Sequence, residues 1–204
     1  MISSKVYFVD DDKFFLGVAS RLLRQAGFEV ITYLSAAELL ADLKPEAKGC
    51  ILADLDMPGM DGLALQNAIQ ESANPLPIVF LTGAGDIPAS VSAMRQGAED
   101  FLTKGAPKKD LIAAINRALA RGEEERTARD SQSAKRKMLA LLSDREREVL
   151  DHVVQGKLNK QIADDLGIHE RTVKLHRTAI TTKLGLPSVA ELTKLWLEAG
   201  FSVG

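Results

Sequence analysis

The chain has 204 residues, of which 46% are hydrophobic and 26% are charged, and its formal net charge at pH 7 is -2. That length suits one large domain or two small ones, and the charge balance excludes a bulk polycation while allowing a local basic patch. The single cysteine cannot form an internal disulfide, and no apolar run approaches the roughly 18 residues of a membrane helix, so we expect a cytoplasmic protein without a membrane partner.

Strand and helix patterns alternate from residue 5 to residue 119. Short β-rich apolar runs predict five strands, and apolar residues at helical spacing follow each of them. The predicted strands are 5–9, 29–33, 49–54, 77–82 and 100–103. The helix after the fourth strand carries Val91, Met94 and Ala98 on one side. Because right-handed crossovers place helices on both faces, the pattern predicts an α/β fold with a parallel, doubly wound sheet.

The composition changes between residues 122 and 138, where charged side chains dominate and large apolar ones are scarce. We interpret this segment as a polar interdomain linker, with helix favoured over coil because Pro is absent and Ala, Glu and Arg are common. Beyond it, caps and apolar spacing predict four helices. They cover 143–155, 160–166, 169–184 and 188–199. The sequence therefore predicts a first domain at 1–121 and an all-α four-helix domain at 139–204.

Polar residues stand where the predicted strands end. Asp10 and Asp11 follow the first strand, Asp54 ends the third, Thr82 ends the fourth and Lys104 follows the fifth. The carboxyl ends of parallel strands meet at one edge, which is where open α/β sheets bind ligands. Each residue alone has an ordinary structural explanation, such as a helix cap or a solvated charge. Their joint arrival at one edge favours a functional site.

This set of groups suits a divalent cation and a phosphoryl group. Carboxylate and carbonyl oxygens are the ligands that Mg²⁺ prefers, so Asp11 and Asp54 with a backbone carbonyl near Asp56 would suffice. A carboxylate beside Mg²⁺ can attack phosphorus to form an aspartyl phosphate. Lys104 and Thr82 would then hold phosphoryl oxygens.

Residues 3 to 120 resemble the receiver domain of bacterial two-component response regulators, a flavodoxin-like fold. The matching motifs are Val9-Asp10-Asp11-Asp12, Asp54-Leu-Asp-Met-Pro-Gly-Met-Asp-Gly62, Leu81-Thr82-Gly83 and Asp100-Phe101-Leu102-Thr103-Lys104. The resemblance implies that Asp54 is the phosphoacceptor and that Asp10 and Asp11 shape the Mg²⁺ site. It also implies that Thr82 and Lys104 contact the phosphoryl group, and that Phe101 moves with Thr82 on activation.

One position departs from the family pattern, which has Pro directly after the lysine, commonly with a cis peptide bond. Here Gly105 follows Lys104. A cis bond to a non-proline residue costs about 2.5–4 kcal/mol, against about 0.5–1 kcal/mol for a bond to proline. We therefore expect a trans Lys104–Gly105 bond, or a locally mobile one, and a Lys104 that is held less rigidly than usual.

In the second domain, a turn at Gly167 joins two helical patterns. Between Arg171 and Lys183 the chain has four basic residues, one histidine and no acid. Lys174, Arg177, Thr178 and Thr181 fall near one face, while Val173, Leu175, Ile180 and Leu184 are expected to make apolar contacts. A basic face opposite an apolar one is typical of a helix in the major groove of DNA, although a solvated helix surface has the same pattern.

Residues 139 to 200 resemble the LuxR-type helix-turn-helix of the NarL/FixJ subgroup. The matching motifs are Leu142-Ser-Asp-Arg-Glu-Arg-Glu-Val-Leu150, Gly156-Lys-Leu-Asn159-Lys-Gln-Ile-Ala163, Leu166-Gly167-Ile168, Thr172-Val173-Lys174-Leu175-His176-Arg177 and Lys183-Leu-Gly185. The resemblance implies that residues 170–184 form the recognition helix. The implied DNA contacts are Lys160, Arg171, Thr172, Lys174, His176, Arg177 and Lys183.

Together these domains predict a transcription regulator in which a sensor histidine kinase phosphorylates Asp54 and thereby gates the binding of promoter DNA. Helix-turn-helix readers bind paired half-sites, so we expect a homodimer on phosphorylation, with Val91, Arg95 and Phe101 as the dimer face that the resemblance suggests. RNA polymerase is a further candidate partner. Apart from its own phosphotransfer and autodephosphorylation on Asp54, no enzymatic activity is expected.

Two alternatives stay open at this point. Asp54-Leu-Asp56 has the spacing of the paired aspartates in Mg²⁺-dependent phosphohydrolases, although such enzymes carry the pair on the first strand. Because Gly105 replaces the proline of the family pattern, the second alternative is a regulator that binds DNA without phosphate control.

Overall fold

The computed structural model describes residues 4–83, 91 and 94–203. The chain divides into two compact units, Met1–Arg126 and Thr127–Gly204. Within the described ranges, no helix combines the length and the hydropathy needed to cross a membrane.

The first unit is built on a five-stranded parallel sheet. Its strands are β1 (Lys5–Val9), β2 (Glu29–Tyr33), β3 (Cys50–Asp54), β4 (Ile78–Thr82) and β5 (Asp100–Thr103). Their order is β2-β1-β3-β4-β5, and every neighbouring pair is parallel. Val9 of β1 pairs with Ala53 of β3. The residues that follow them, Asp10 and Asp54, therefore reach the edge of the sheet at the same level. The predicted doubly wound sheet is confirmed.

Helices cover both faces of this sheet. They are α1 (Lys13–Gln25), α2 (Ala36–Asp42), α3 (Gly62–Gln70) and α4 (Lys108–Leu139). Side chains alternate along the strands, so that Tyr7 and Ile51 pack on the α2 and α3 side, whereas Phe8 and Leu52 pack on the α1 and α4 side. Cys50 lies in the second core, where burial raises the pKa of its thiol to about 12.

The segment between β4 and β5 is described only in part. Residues 84–90, 92 and 93 of the helix predicted there lie outside the described residues. Of the three residues predicted to share one side of it, Ala98 is buried, whereas Val91 and Met94 are exposed.

The segment from residue 122 to residue 138 lies inside α4, and the division between the two units falls within that helix at Arg126 and Thr127. The segment contains no proline. Ion pairs within single helical turns join Arg121 to Glu125 at 2.8 Å and Arg126 to Glu123 at 2.5 Å. These local ion pairs stabilise α4 in a segment that has few apolar side chains to bury.

The second unit contains four further helices around their own core. They are α5 (Asp144–Val154), α6 (Asn159–Leu166), α7 (Glu170–Leu184) and α8 (Val189–Glu198). Gly167 ends α6 with a φ of 63°, a conformation that suits glycine and produces the sharp turn into α7. Leu192, Leu195 and Trp196 of α8 are buried in this core.

The four residues of α7 that were expected to make apolar contacts do not share one face of the helix. Leu175 is 64% exposed, whereas Val173, Ile180 and Leu184 are buried. At 100° per residue, Leu175 lies about 200° around the helix from Val173 and therefore on its opposite side.

Candidate functional site

The five residues predicted at the strand ends lie at one edge of the sheet. Asp10, Asp54 and Thr82 are buried, Lys104 is half-buried and Asp11 is exposed. The Lys104 ammonium lies 2.7 Å from Oδ2 of Asp10 and 3.0 Å from Oδ2 of Asp54. One cation therefore bridges two carboxylates that come from neighbouring strands.

Backbone hydrogen bonds fix the positions of these side chains. The other carboxylate oxygen of Asp10 accepts from the backbone N–H of Asp12 at 2.9 Å, which anchors the loop that leads into α1. The backbone N–H of Lys104 donates to the carbonyl of Thr82 at 2.8 Å. The β4–β5 ladder thus continues one residue beyond the strand and directs Lys104 over the edge.

The electrostatics of the edge favour a strongly bound ammonium. Burial raises the pKa of the Asp10 carboxyl, and the hydrogen bond from Lys104 only partly opposes this effect. Burial also acts to lower the pKa of Lys104, but hydrogen bonds and charge interactions with Asp10 and Asp54 outweigh it and the pKa rises. Lys104 is therefore charged at neutral pH.

The same edge can hold a divalent metal ion. Carboxylate oxygens of Asp10, Asp11 and Asp54 all lie within 4.8 Å of one another. With the three acids and Lys104 ionised, the formal charges sum to minus two, which one divalent cation would balance. Oxygen donors of this kind suit hard cations such as Mg²⁺. Asp56, whose backbone carbonyl completes the predicted ligand set, lies two residues beyond β3 with its side chain exposed.

A close approach of the backbone shapes the loop beyond Asp54. The first residue of α3 is Gly62, and a β-carbon there would lie 2.7 Å from the Asp54 carbonyl oxygen and 2.8 Å from a ring carbon of Phe80. Asp61 caps α3 by accepting from the N–H of Ala64 at 2.7 Å. Only glycine fits at residue 62 without displacing the strand end that carries Asp54.

Phe101 on β5 and Gly105, two residues beyond the end of that strand, flank the site. Phe101 is half-buried, and its ring packs against that of Phe80 with the two centroids 6.3 Å apart. None of the peptide bonds in the described ranges is cis, so the Lys104–Gly105 bond is trans, as expected. Nothing lies within 4 Å of the β-position of Gly105. The N–H of Ala106 donates to the carbonyl of Thr103 at 2.9 Å and closes the turn after Lys104, while ion pairs hold its side chain. The less rigid hold on Lys104 stays a prediction.

In the second unit, basic side chains lie along the exposed part of α7. Arg171, Lys174 and Lys183 are exposed, Thr172, His176 and Arg177 are half-buried, and Lys160 is exposed in the first turn of α6. Lys174 lies 3.3 Å from Glu170 one turn earlier. A surface pair of this kind stabilises little, so it leaves the ammonium available to other anions.

Two further predicted DNA contacts have protein partners, which lie on other helices. Arg177 donates to Oδ1 of Asn159 at 3.1 Å, which links α7 to the start of α6. Lys183 donates to Glu146 at 2.7 Å, and Glu146 is buried at the start of α5. Nothing in the local sequence indicates that Glu146 pairs with Lys183, because the two residues lie 37 positions apart.

Sequence reasoning also missed Phe15. Its ring centroid lies 4.7 Å from the Lys104 nitrogen. The helical spacing of α1 marked Phe15 only as an apolar residue, because contact with a lysine 89 positions later leaves no local signal in the chain.

The predicted dimer-face residues differ in exposure. Val91 and Arg95 are exposed, and Phe101 is half-buried. Residues 92 and 93 between the first two lie outside the described part of the chain.

Comparison with known proteins assigns each unit to a family. Residues 6–116 match the family described as response regulator receiver domain. Residues 140–196 match the family described as bacterial regulatory proteins, luxR family. The two matches together span most of both units.

Relatives and solved structures resemble the chain over nearly its whole length. It is 38% identical to the response regulator protein TodT of Pseudomonas putida, over 95% of this chain and 85% of that protein. It is 39% identical to the transcriptional regulatory protein FixJ of Azorhizobium caulinodans, over 97% and 94% of the two chains. The structure of the response regulator StyR has a TM-score of 0.79 at 42% identity, and 95% of this chain and 98% of StyR are covered. Full-length FixJ from B. japonicum has a TM-score of 0.57 at 35% identity, with 96% and 97% coverage.

Proposed function

Because this chain belongs to the response regulators that join a receiver domain to a LuxR-type DNA-binding domain, we propose that phosphorylation of Asp54 by a partner sensor histidine kinase gates its binding to promoter DNA. The observation that carries the proposal is the Lys104 ammonium, which bridges Asp10 and Asp54 at the carboxyl edge of the sheet. A buried carboxylate beside a fixed cation is well placed to accept a phosphoryl group.

Asp54 acts as the nucleophile in this account. One of its carboxylate oxygens forms a bond to the phosphorus of the donor, the bond from phosphorus to the leaving group breaks, and an aspartyl phosphate results. Lys104 and Thr82 hold oxygens of the transferred group. Asp10, Asp11, Asp54 and the backbone carbonyl of Asp56 would hold Mg²⁺, which when bound offsets the negative charge of the phosphoryl oxygens.

The phosphoryl group then changes the charge at this edge. A phosphate ester carries about −1.5 to −2 at pH 7, and the acyl phosphate on Asp54 has comparable charge in place of a single carboxylate charge. Lys104 must then divide its contacts between Asp10 and the phosphoryl oxygens. Rearrangement of Thr82 and Phe101 is the two-state change that transmits this event, and it favours a homodimer through Val91, Arg95 and Phe101.

The helix α7 is the DNA reader. Lys160, Arg171, Thr172, Lys174, His176, Arg177 and Lys183 are the proposed contacts. Exposed Arg171 and Lys174 near the start of α7 support this assignment, because the beginning of a recognition helix reaches bases and phosphates first. RNA polymerase would be engaged at the promoter to which the protein is bound.

The test of phosphoacceptor identity is intact-mass measurement of the full-length protein after incubation with Mg²⁺ and acetyl phosphate. The wild type is expected to gain the mass of one phosphoryl group, and Asp54→Asn is expected to gain none. Asp61→Asn is a matched control, because it removes a nearby negative charge and asparagine caps a helix as well as aspartate does. Absence of a mass gain in the wild type would refute the proposal.

A phosphohydrolase is the alternative from another class, and the exposed side chain of Asp56 does not favour it. In such an enzyme both acids of the pair act on the substrate, so the side chain of Asp56 would have to lie beside that of Asp54. Sustained hydrolysis of a generic phosphate ester, abolished in Asp56→Asn, would support the enzyme instead.

A further inference from the structure

The Lys104 ammonium has a third neighbour besides its two carboxylates. Its nitrogen lies 4.7 Å from the centroid of the Phe15 ring. A cation within about 6 Å of an aromatic face is attracted by the ring quadrupole, more strongly where water is partly excluded. With 21% of its side chain exposed, Lys104 is in such a partly desolvated position.

The beginning of α1 orients the Phe15 ring. Asp12 caps the helix by accepting from the N–H groups of Phe14 and Phe15 at 2.8 and 3.1 Å. The Phe15 ring then meets the ring of Phe8 on β1 edge to face, with centroids 6.1 Å apart and an interplanar angle of 79°. Phe8 is completely buried. A core residue thus supports one side of Phe15, and the ammonium lies over its face.

The contact matters because of what the other partners of the Lys104 ammonium do. Backbone hydrogen bonds hold the chain on both sides of Lys104, from its own N–H to the carbonyl of Thr82 and from the N–H of Ala106 to the carbonyl of Thr103. The ion pair with Asp54 is the contact that phosphoryl transfer must change, and Asp10 belongs to the candidate metal cluster. Phe15 carries no charge and takes no part in that exchange.

We propose that Phe15 is a positioning residue, whose ring face holds the Lys104 ammonium at the sheet edge while the Asp54 carboxylate becomes a phosphoryl acceptor. This inference rests on the proposed role of Asp54. It assigns to an aromatic side chain of α1 a support for Lys104 that does not depend on the two carboxylates.

The first measurement detects the contact itself and needs neither metal nor phosphate. In protein labelled with ¹³C-lysine, the ε-methylene protons of Lys104 are expected at an upfield position because the Phe15 ring current shields them. Loss of the resonance in Lys104→Arg identifies it. The upfield shift should disappear in Phe15→Leu and persist in Phe14→Leu, since Phe14 is 82% exposed beside it. A Lys104 resonance at an ordinary position in the wild type would overturn the proposal.

The second measurement separates the ring face from simple packing. Phenylalanine analogues with increasing fluorination at residue 15 keep the ring shape while they weaken its negative face. The rate of Asp54 phosphorylation by acetyl phosphate is expected to fall stepwise with fluorination, by about two- to fivefold in total, and Phe15→Tyr should retain the wild-type rate.

The outcomes are distinguishable. A rate that is independent of fluorination, with the upfield resonance intact, would overturn the positioning role and leave Asp54 as phosphoacceptor. No phosphorylation of the wild type would overturn the proposed function and this inference together. A stepwise fall in rate with an unchanged Phe14→Leu variant supports the inference.

Discussion

Lys183 at the end of α7 donates a hydrogen bond to the carboxylate of Glu146 at 2.7 Å. Glu146 also accepts from the backbone N–H of Ser143 at 2.7 Å, while the Ser143 hydroxyl accepts from the N–H of Glu146, which completes the cap of α5. One acid thus joins the end of α7 to the start of α5. Lys183 therefore has a structural role whether or not it also contacts DNA.

This pair predicts a pH-dependent stability. The hydrogen bond from Lys183, followed by that from the Ser143 backbone, lowers the pKa of Glu146 from its ordinary 4.5. Because the folded state binds this proton less tightly than the unfolded state, the stabilisation is complete above pH 4.5 and is lost as the pH falls through the lower folded value. Glu146→Gln should remove this dependence and cost about 1–2 kcal/mol at pH 7.

Trp196 provides the measurement for this second unit. It is the single tryptophan of the sequence and is buried in the α5–α8 core, so its fluorescence follows urea unfolding of that unit in the full chain. The difference in unfolding free energy between wild type and Glu146→Gln should shrink from pH 7 to pH 4. A difference that stays constant with pH would argue against the ion pair.

Gly62→Ala should destabilise the first unit by about 1–3 kcal/mol, because the added carbon must displace the Asp54 carbonyl or the Phe80 ring. Gly17→Ala is the matched control. Nothing lies within 4 Å of its β-position inside α1, so that variant should gain about 0.5–1 kcal/mol. Circular dichroism during urea unfolding, with the Trp196 transition taken as that of the second unit, gives both values. Equal stability of the two variants would contradict the close approach.

Asp11→Asn should weaken Mg²⁺ binding by about tenfold or more, since even residues that only support metal ligands change affinity by about 10- to 100-fold. Asp12→Asn removes the same charge one residue later and preserves the cap of α1. Isothermal titration of each variant with Mg²⁺ measures the effect. If both variants bind equally, the cluster acts through total charge and Asp11 is not a specific ligand.

Much of the fold could be predicted because a parallel sheet has a simple sequence pattern. The predicted strands 49–54 and 77–82 each began one residue early. Gly49 has a φ of 135°, outside the extended region, and Pro77 lacks the N–H that a ladder requires. The strand-end residues of the site followed from the same pattern, since Asp10 and Asp54 reach one edge by register.

Contacts between distant residues could not be predicted in this way. The bond between Lys183 and Glu146 spans 37 residues, and neither side chain differs in type from an ordinary surface charge. Leu175 was expected to make apolar contacts with Val173, Ile180 and Leu184, yet it is exposed on the opposite side of α7 from Val173. Hydrophobic type indicates burial only where the helical spacing agrees with it.

Lys174→Ala should weaken DNA binding to a similar extent for specific and random duplexes, and should reduce the slope of log affinity against log salt by about one. Lys194→Ala is the control. Lys194 lies on α8, its side chain is 74% exposed against 64% for Lys174, and it too faces an acid one turn away. Fluorescence anisotropy over a range of salt concentrations compares the two variants. An unchanged slope in Lys174→Ala would remove that residue from the DNA contacts.

The gating of DNA binding by Asp54 is tested most directly by the affinity of the full-length protein for a duplex selected from a random library. The affinity is measured with Mg²⁺, in the presence and absence of acetyl phosphate. Phosphodonor should tighten binding of the wild type by about tenfold, within the usual range of coupling between two sites, and should leave Asp54→Asn unchanged. An equal affinity of the wild type under both conditions, or the same increase in Asp54→Asn, would contradict the account.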